Sequence, residues 1–461
     1  MPIAAAFIAP HPPFIIPEVG KGQEKTINAT TEACLEISRR VRAIKPDLVV
    51  FASPHGAMYS DYFHIPSGTV AKGDFRSYGA GKVKLSAEHD GEFAETLASL
   101  ALAEGVAAGP LGGRGASLDH GVMIPLYFIQ KSLTDFKIAR VSQSGLSFPD
   151  HYRLGQCVAE ASRILGRKTV VVASGDLSHK LKADGPYGFA PEGPEFDRFA
   201  TSAMAKGDFM AFLSCPPPFA EKAAECGLRS FILMAGALDG FETESELLSY
   251  EGPFGVGYAV ASFIPTEQSP SRRFLAAFLE SEKSRVAAAR AAESPYAALA
   301  RHALETRVAT GTKPARPTGL PAELLENKAG VFVSLKKHGE LRGCIGTISP
   351  ATGCLADEIL RNAQEAGLHD PRFEPVGAEE LDSLVYSVDV LGASEPVPSA
   401  DSLDPRVYGV IVSKGSRRGL LLPNLDGVDT AEEQIAIALR KAGIRPDEDY
   451  ALERFKVERH K

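Results

Sequence analysis

Three histidines, His11, His55 and His179, each follow an apolar run that ends in a short turn. The runs are Ala4-Ala5-Ala6-Phe7-Ile8-Ala9-Pro10-His11, Leu48-Val49-Val50-Phe51-Ala52-Ser53-Pro54-His55, and Val170-Val171-Val172-Ala173-Ser174-Gly175-Asp176-Leu177-Ser178-His179. Neutral imidazole is a ligand for iron, zinc and copper, and it exchanges protons near neutral pH. The chemistry indicated is therefore metal binding coupled to acid–base work. His11 and His55 each stand directly after a proline, which holds the ring at a fixed place and suits a ligand pair. Two such histidines need a third anchor, and a carboxylate is the usual one. Glu225 and Glu251 are the candidates. Glu225 is preferred, because the apolar segment Phe231-Ile-Leu-Met-Ala235 follows it and would bury it unless a cation compensates. The neighbouring Cys226 replaces it if the metal is soft. His179 is the stronger proton-transfer candidate, since Ser174-Gly-Asp-Leu-Ser178 is a sharp polar turn, with Asp176 placed to orient the ring. His120, in Ser117-Leu-Asp-His-Gly121, is a second acid–base candidate, although Asp119 there also reads as a plain helix cap.

These side chains need a scaffold that brings strand ends together. Each run is short, continuous, rich in Val, Ile, Phe and Ala, and closed by Pro or Gly, as expected of a strand buried on both faces of a parallel sheet. Open α/β sheets of this kind hold ligands along the carboxyl edge. Strands alternate with amphipathic helices over residues 1–265, so that region is expected to be an α/β domain with a mostly parallel sheet covered by helices. It closes with the glycine-rich turn of residues 252–258 and an apolar strand. Residues 266–293, rich in Ala, Glu, Lys and Arg, read as a helical linker. Residues 294–461 read as a smaller α+β domain that opens on a hairpin, residues 330–335 and 340–345, turning at Lys337-His-Gly339. Helices are expected at 355–366 and 431–442, and strands at 383–391, 409–412 and 419–422. Two compact motifs in this domain, Leu341-Arg-Gly-Cys-Ile-Gly346 and His369-Asp-Pro-Arg-Phe373, make Arg342, Cys344, Asp370 and Arg372 a possible second site. Glycines there permit close backbone approach and arginines bind anions. The competing interpretation is a tight hairpin with a small buried cysteine.

A chain of 461 residues, 44% hydrophobic and 23% charged, has enough apolar material for two or three cores. Its formal net charge of -8 argues against a nucleic-acid or anionic-membrane partner. The first apolar run lacks a basic n-region and is broken by Pro10, Pro12 and Pro13, so it is not expected to be a signal peptide. No stretch reaches the roughly 18 apolar residues that a spanning helix needs. The six cysteines form no C-x-x-C pair and are expected to be reduced, in a cytoplasmic protein.

The stretches Ala9-Pro-His-Pro-Pro13, Ser53-Pro-His-Gly56, Asp119-His-Gly121, Ser174-Gly-Asp-Leu-Ser-His179 and Glu225-Cys-Gly resemble the class III extradiol dioxygenase B-subunit family, to which the Memo-like proteins are related. The resemblance implies that His11, His55 and Glu225 hold a non-haem Fe(II), with His179 as the acid–base residue and His120 in the substrate pocket. It implies ring cleavage of a catecholic or aminophenolic aromatic by dioxygen, and, as related dioxygenases often assemble, a homo-oligomer. Memo-like relatives vary at the ligand positions, which leaves a zinc or copper protein, a hydrolase or a non-catalytic scaffold as the alternatives. In the second domain Leu-Arg-Gly-Cys-Ile-Gly, Asp-Pro-Arg-Phe and the Gly-Val-Asp-Thr-Ala-Glu-Glu-Gln segment from Gly427 resemble the AMMECR family. A fusion of the two resembles the AmmeMemoRadiSam proteins, which implies radical-SAM and Memo-like partner proteins.

Overall fold

The computed structural model describes residues 1–111, 117–425 and 427–461. Its chain separates into two compact units, Met1–Leu279 and Glu280–Lys461.

In the first unit the three histidine-bearing runs are strands β1 (Ile3–Ala9), β2 (Leu48–Ser53) and, further on, β6 (Thr169–Ser174). Between them lie a hairpin, β3 (Val70–Phe75) and β4 (Ala80–Glu88), and the edge strand β5 (Lys137–Ser142). The sheet closes with β7 (Phe241–Glu251) and β8 (Tyr258–Gln268), in the order β5-β2-β6-β1-β8-β7. The first four strands are parallel, with Ala9 level with Ser174 and Ala52 level with Ala173, whereas β8 and β7 are antiparallel. All residues of β2 and β6 are buried, because apolar clusters cover both faces of the sheet. The strand ends that carry His11, His55 and His179 are therefore adjacent on one edge.

Helices α1 (Asn28–Ile44) and α2 (His120–Gln130) cover one face, where their apolar residues join those of β2 and β8 in one core. On the other face α3 (Phe148–Ile164) crosses α4 (Leu228–Ala237), the helix that begins just after Glu225 and Cys226. The crossing is close because both helices present glycine. A Cβ on Gly236 would lie 2.0 Å from the Tyr152 carbonyl oxygen, and one on Gly155 would lie 2.0 Å from that of Leu233. A similar contact fixes the start of α4, since a Cβ on Gly175 would fall 2.1 Å from Gly227 Cα. The turn after β6 is thus pressed backbone to backbone against the turn that carries Cys226.

The unit boundary falls inside helix α5 (Phe274–Ala291), where the sequence suggested a linker. Three large side chains in its first half, Phe274, Leu275 and Phe278, pack into the core of the first unit, so that half does not act as a spacer. The preceding strand also runs three residues beyond the expected end at residue 265, to Gln268.

The second unit is α+β. Strands β9 (Val331–Lys337) and β10 (Glu340–Gly346) form the expected hairpin about His338 and Gly339, both at positive φ (52° and 84°), as a two-residue primed turn requires. Helices α6 (Pro295–Thr310) and α7 (Leu355–Leu368) pack on this sheet, while α8 (Ala431–Ala442) packs on a second small sheet that contains Gly409–Lys414 and Arg417–Leu421. Among the described residues no helix is long and apolar enough to cross a membrane.

Replacement of Gly236 by Ala should lower unfolding stability by about 1–3 kcal/mol, because the α3–α4 crossing has no room to accept a methyl group. Denaturant melts of the full chain measure this. A second expectation concerns His151, which is wholly buried, with Nε2 3.4 Å from the Ser144 N–H and Nδ1 3.0 Å from the Ser147 carbonyl oxygen. Burial, helped by the charge of Arg229, brings its pKa down to about 3. A histidine in the unfolded chain titrates near ~6.5, so the unfolded state takes up the proton first. The contribution of the neutral ring is complete above that pH and is lost as pH falls from ~6.5 toward 3. Midpoints measured between pH 7 and pH 4 should fall less steeply for His151→Gln than for the wild type.

Candidate metal centre

The turn after β1 delivers His11 and the turn after β2 delivers His55, and their Nε2 atoms lie 2.9 Å apart. Cys226 Sγ stands 3.6 Å from His11 Nε2. One ligand atom from each of these three residues falls within 4.8 Å of the others. Metal–nitrogen bonds of about 2.0–2.1 Å and a metal–thiolate bond of about 2.3 Å separate donors by about 3.3–3.6 Å around a tetrahedral ion, so the three side chains fit a metal with small adjustments. His11 is buried at 2% exposure, whereas His55 is exposed, so the group opens to solvent on one side.

The neighbours of His11 fix its ring. Nδ1 lies 3.0 Å from Ser174 Oγ, and the backbone N–H donates to Asp176 Oδ1 at 2.9 Å. Asp176 Oδ2 is 3.9 Å from His11 Nε2, so this carboxylate serves His11 and not, as the spacing suggested, His179. Burial raises the Asp176 pKa to about 7. Cys226 is held by its neighbours in turn: the Asp176 N–H donates to Sγ at 3.3 Å, and Gln143 Nε2 donates to the Cys226 carbonyl at 2.8 Å. Burial, reinforced by the charges of Asp176 and Glu225, pushes the thiol well above its usual range, so it needs a cation to ionise.

Neither of the two glutamates proposed from the sequence joins the group. Glu225 Oε2 accepts the Leu228 N–H at 2.6 Å, which ties the carboxylate to the first turn of α4. Burial raises its pKa to about 7. Glu251 accepts from the backbone N–H and the hydroxyl of Thr30, at 2.7 and 2.6 Å, and is spent on holding α1. The thiol one residue beyond Glu225 occupies the position the sequence assigned to a carboxylate. A cysteine was considered there only as a soft-metal substitute, because spacing alone does not tell which of two adjacent residues turns inward.

Two further imidazoles flank the group. His120 stacks on His55 with ring centroids 4.0 Å apart and meets His11 edge-on at 5.3 Å. Asp119 caps α2 by accepting the Val122 N–H at 3.2 Å, and the same Oδ1 accepts the Ser53 hydroxyl at 2.5 Å. The cap is therefore also the bolt that holds His120 against the end of β2. Burial first, and the neighbouring His55 second, bring His120 down to about 4. His179 has the same neighbours in kind: burial and then His55 lower its pKa, and its buried Nε2 has no hydrogen-bond partner among the described residues. The Tyr187 ring, 59% exposed, lies 5.0 Å from that of His179. Both flanking rings are thus neutral at pH 7 and able to accept a proton. Gln143 and Tyr187 are the contributors that sequence reasoning did not single out. Gln143 stands just after a buried strand, as the histidines do, and that position was its available signal.

In the second unit Asp370 and Arg372 gather at Cys344, while Arg342 pairs with Glu380 and lies over the Phe373 ring that Arg372 also covers, at 5.8 and 5.5 Å. The Cys344 N–H donates to Asp370 Oδ2 at 2.9 Å, Arg372 Nη2 donates to the Cys344 carbonyl at 3.2 Å, and Ser334 Oγ donates to the thiol at 3.2 Å. Arg372 also grips Asp370 at 2.7 and 2.9 Å and holds its pKa near 2. Arg342 makes a two-point contact with Glu380, at 3.0 and 2.8 Å. Both arginines are engaged by carboxylates of the unit itself, so the motif acts first as a clamp on the hairpin.

A mostly parallel α/β sheet whose carboxyl edge gathers four imidazoles and a thiol defines an α/β protein with a histidine-rich cluster, three of whose side chains could hold a metal ion. Residues 5–261 match the model described as the catalytic LigB subunit of aromatic ring-opening dioxygenase, and the chain belongs to that family. Residues 297–460 match AMMECR1. A protein of Clostridium acetobutylicum is 40% identical and is aligned over 100% of both chains, so the fusion recurs as a whole. A protein of Thermotoga maritima is 50% identical over 37% of this chain and 98% of its own. The crystal structure of an uncharacterized protein from Pyrococcus horikoshii is 36% identical, covers 36% of this chain and 88% of its own, and has a TM-score of 0.34.

Asp119→Ala should cost about 1 kcal/mol through the lost cap and should loosen His120 from His55, while Asp119→Asn should retain most of both. Thermal melts and the ring resonances of the two histidines in NMR spectra report the two effects separately.

Proposed function

We propose that the first unit is a metal-dependent member of the ring-opening dioxygenase family whose centre, His11, His55 and Cys226, holds copper or zinc in place of ferrous iron. The observation that carries this reading is the third donor. A thiol stands in the cluster and Glu225 does not. Thiolate with imidazole favours soft and borderline ions, whereas ferrous oxygenases of this family type rely on two histidines and one carboxylate. Three protein donors leave a coordination position for a ligand, which is the pattern of catalytic and not structural centres. The ion would supply Lewis acidity or, if copper, one-electron chemistry. His120 and His179, neutral beside it, would take a proton from a ligand hydroxyl and return it. The recurrence of both units along the whole Clostridium relative supports a joint role for the AMMECR1 unit, in which radical-SAM and Memo-like partner proteins belong to the proposal.

A ferrous extradiol centre is the second reading, favoured by one observation: Glu225 is the residue next to Cys226, and its raised pKa marks a carboxylate that a cation would stabilise. Metal analysis of the anaerobically purified chain, with a competition titration and oxygen uptake on a panel of catechols and aminophenols, separates the two. Cys226→Ser should weaken copper or zinc binding by more than the ~10–100-fold that outer partners of a ligand carry, and Glu225→Gln should leave it nearly intact. Iron-restored oxygen uptake that survives Cys226→Ser and disappears in Glu225→Gln would overturn the thiolate reading.

A further inference from the structure

His179 leaves β6 on a polar turn, and the residue before it is held from three sides. The Ser178 hydroxyl donates to the Ala223 carbonyl at 2.8 Å, the Ser178 carbonyl accepts the Gly257 N–H at 2.9 Å, and the Ser178 N–H donates to Asp197 Oδ1 at 2.8 Å. The Ala223 carbonyl also accepts the His179 N–H at 3.2 Å. With both backbone groups of Ser178 engaged, its two soft dihedrals are set, and they decide where the next residue points. Two of the three anchors are backbone groups of neighbouring turns. The third is a carboxylate from another helix, and nothing in the metal group accounts for it.

Asp197 stands on the helix Glu192–Lys206, whose other buried residues include Phe196, Ala200, Ala203 and Met204. At 1% exposure it is out of place in that apolar set, because a buried carboxylate destabilises the fold unless donors satisfy it. Its donors are two uncharged groups, the Ser178 N–H and the Tyr250 hydroxyl, which reaches Oδ2 at 2.7 Å. Burial raises its pKa to about 6 against the pull of both bonds, so it is ionised at pH 7 and accepts from each. Hydrogen bonds to an ionised acceptor are roughly twice as strong as neutral ones. The chain also keeps room for it: a Cβ on Gly257 would lie 2.0 Å from Oδ2. The carboxylate thus joins the helix, the end of β7 and the turn before β8 at the root of His179.

We infer that Asp197 is the positioning residue of His179: it fixes the Ser178 backbone and so aims the ring, without touching a ligand itself. The inference rests on the reading of His179 as a proton acceptor beside the metal group, a role in which a displacement of about 1 Å costs about 100-fold. Ring resonances of His179 in the metal-free full chain carrying isotope-labelled histidine, assigned by their loss in His179→Gln, test it. Asp197→Ala should shift or broaden these resonances and leave those of His151, on α3, in place. Asp197→Asn, which keeps an acceptor for the Ser178 N–H, should return His179 close to its wild-type position. Tyr250→Phe removes only the second donor and covers the case in which Asp197→Ala does not fold; it should move the same resonances less. Variants that lower the melting temperature while His179 stays put would assign the carboxylate to stability alone and overturn the inference. The visible spectrum of p-nitrocatechol, whose colour reports loss of its hydroxyl proton, is then read on the zinc-loaded chain at slightly acid pH. The probe should be less ionised with Asp197→Ala or His179→Gln than with the wild type. If the resonances move as described and His179→Gln leaves the colour unchanged, the proton-transfer reading falls and the positioning role stands.

Discussion

The seating of β6 between β1 and β2 is the constraint from which the rest follows. A strand paired on both sides with parallel neighbours, and covered on both faces, has no freedom to slip, since a one-residue shift would turn every side chain to the opposite face. With Ala9 level with Ser174 and Ala52 level with Ala173, the chain after each strand must emerge at the same height. His11 and His55 meet there because Pro10 and Pro54 stop both strands at equivalent points. Their spacing is a property of the sheet before it is a property of any ligand.

The remaining donor arrives by a different route. Cys226 lies on a turn, and what places it is the contact of Gly175 with Gly227 and the packing of α4 on α3. Two independent pieces of backbone thus converge on one point, one specified by strand register and the other by helix crossing. The flanking imidazoles are held in the same indirect manner: His120 through the cap at Asp119, and His179 through a turn whose backbone N–H reaches the Ala223 carbonyl. Burial first, and the neighbouring rings second, depress the proton affinity of His11 and His120, so these imidazoles stay uncharged and ready for a cation.

Much of this was legible in the residues. The continuous apolar runs announced buried parallel strands, and the hairpin about His338-Gly339 followed from turn chemistry. The helix at Ala431–Ala442 fell where its pattern placed it. The choice between Glu225 and Cys226 was not legible in the same way. Adjacent residues on a turn differ in direction by amounts that only the surrounding packing decides, and here Leu228 offers a free N–H that draws the carboxylate aside. The role of Asp176 was misjudged for a related reason: sequence proximity suggested His179, but parallel pairing brings His11 closer. The first half of α5 read as a spacer because small residues dominate its whole length, although three large ones at its start suffice to anchor it.

The separation of the donors along the chain carries a consequence of its own. His11 and His55 are 44 residues apart and His11 and Cys226 are 215 apart, so an ion shared by the three closes two long circuits of polypeptide at a single point. Closing such circuits is costly in the disordered chain, and the cost grows only slowly with length. An ion bound to the folded form alone shifts the folding balance in proportion to its own availability. With the proposed ion in place, the centre would be a knot as well as a binding site: it would draw the first strand, the second and the start of a distant helix into one cooperative element, and the persistence of the first unit would become a readout of how much metal its surroundings supply.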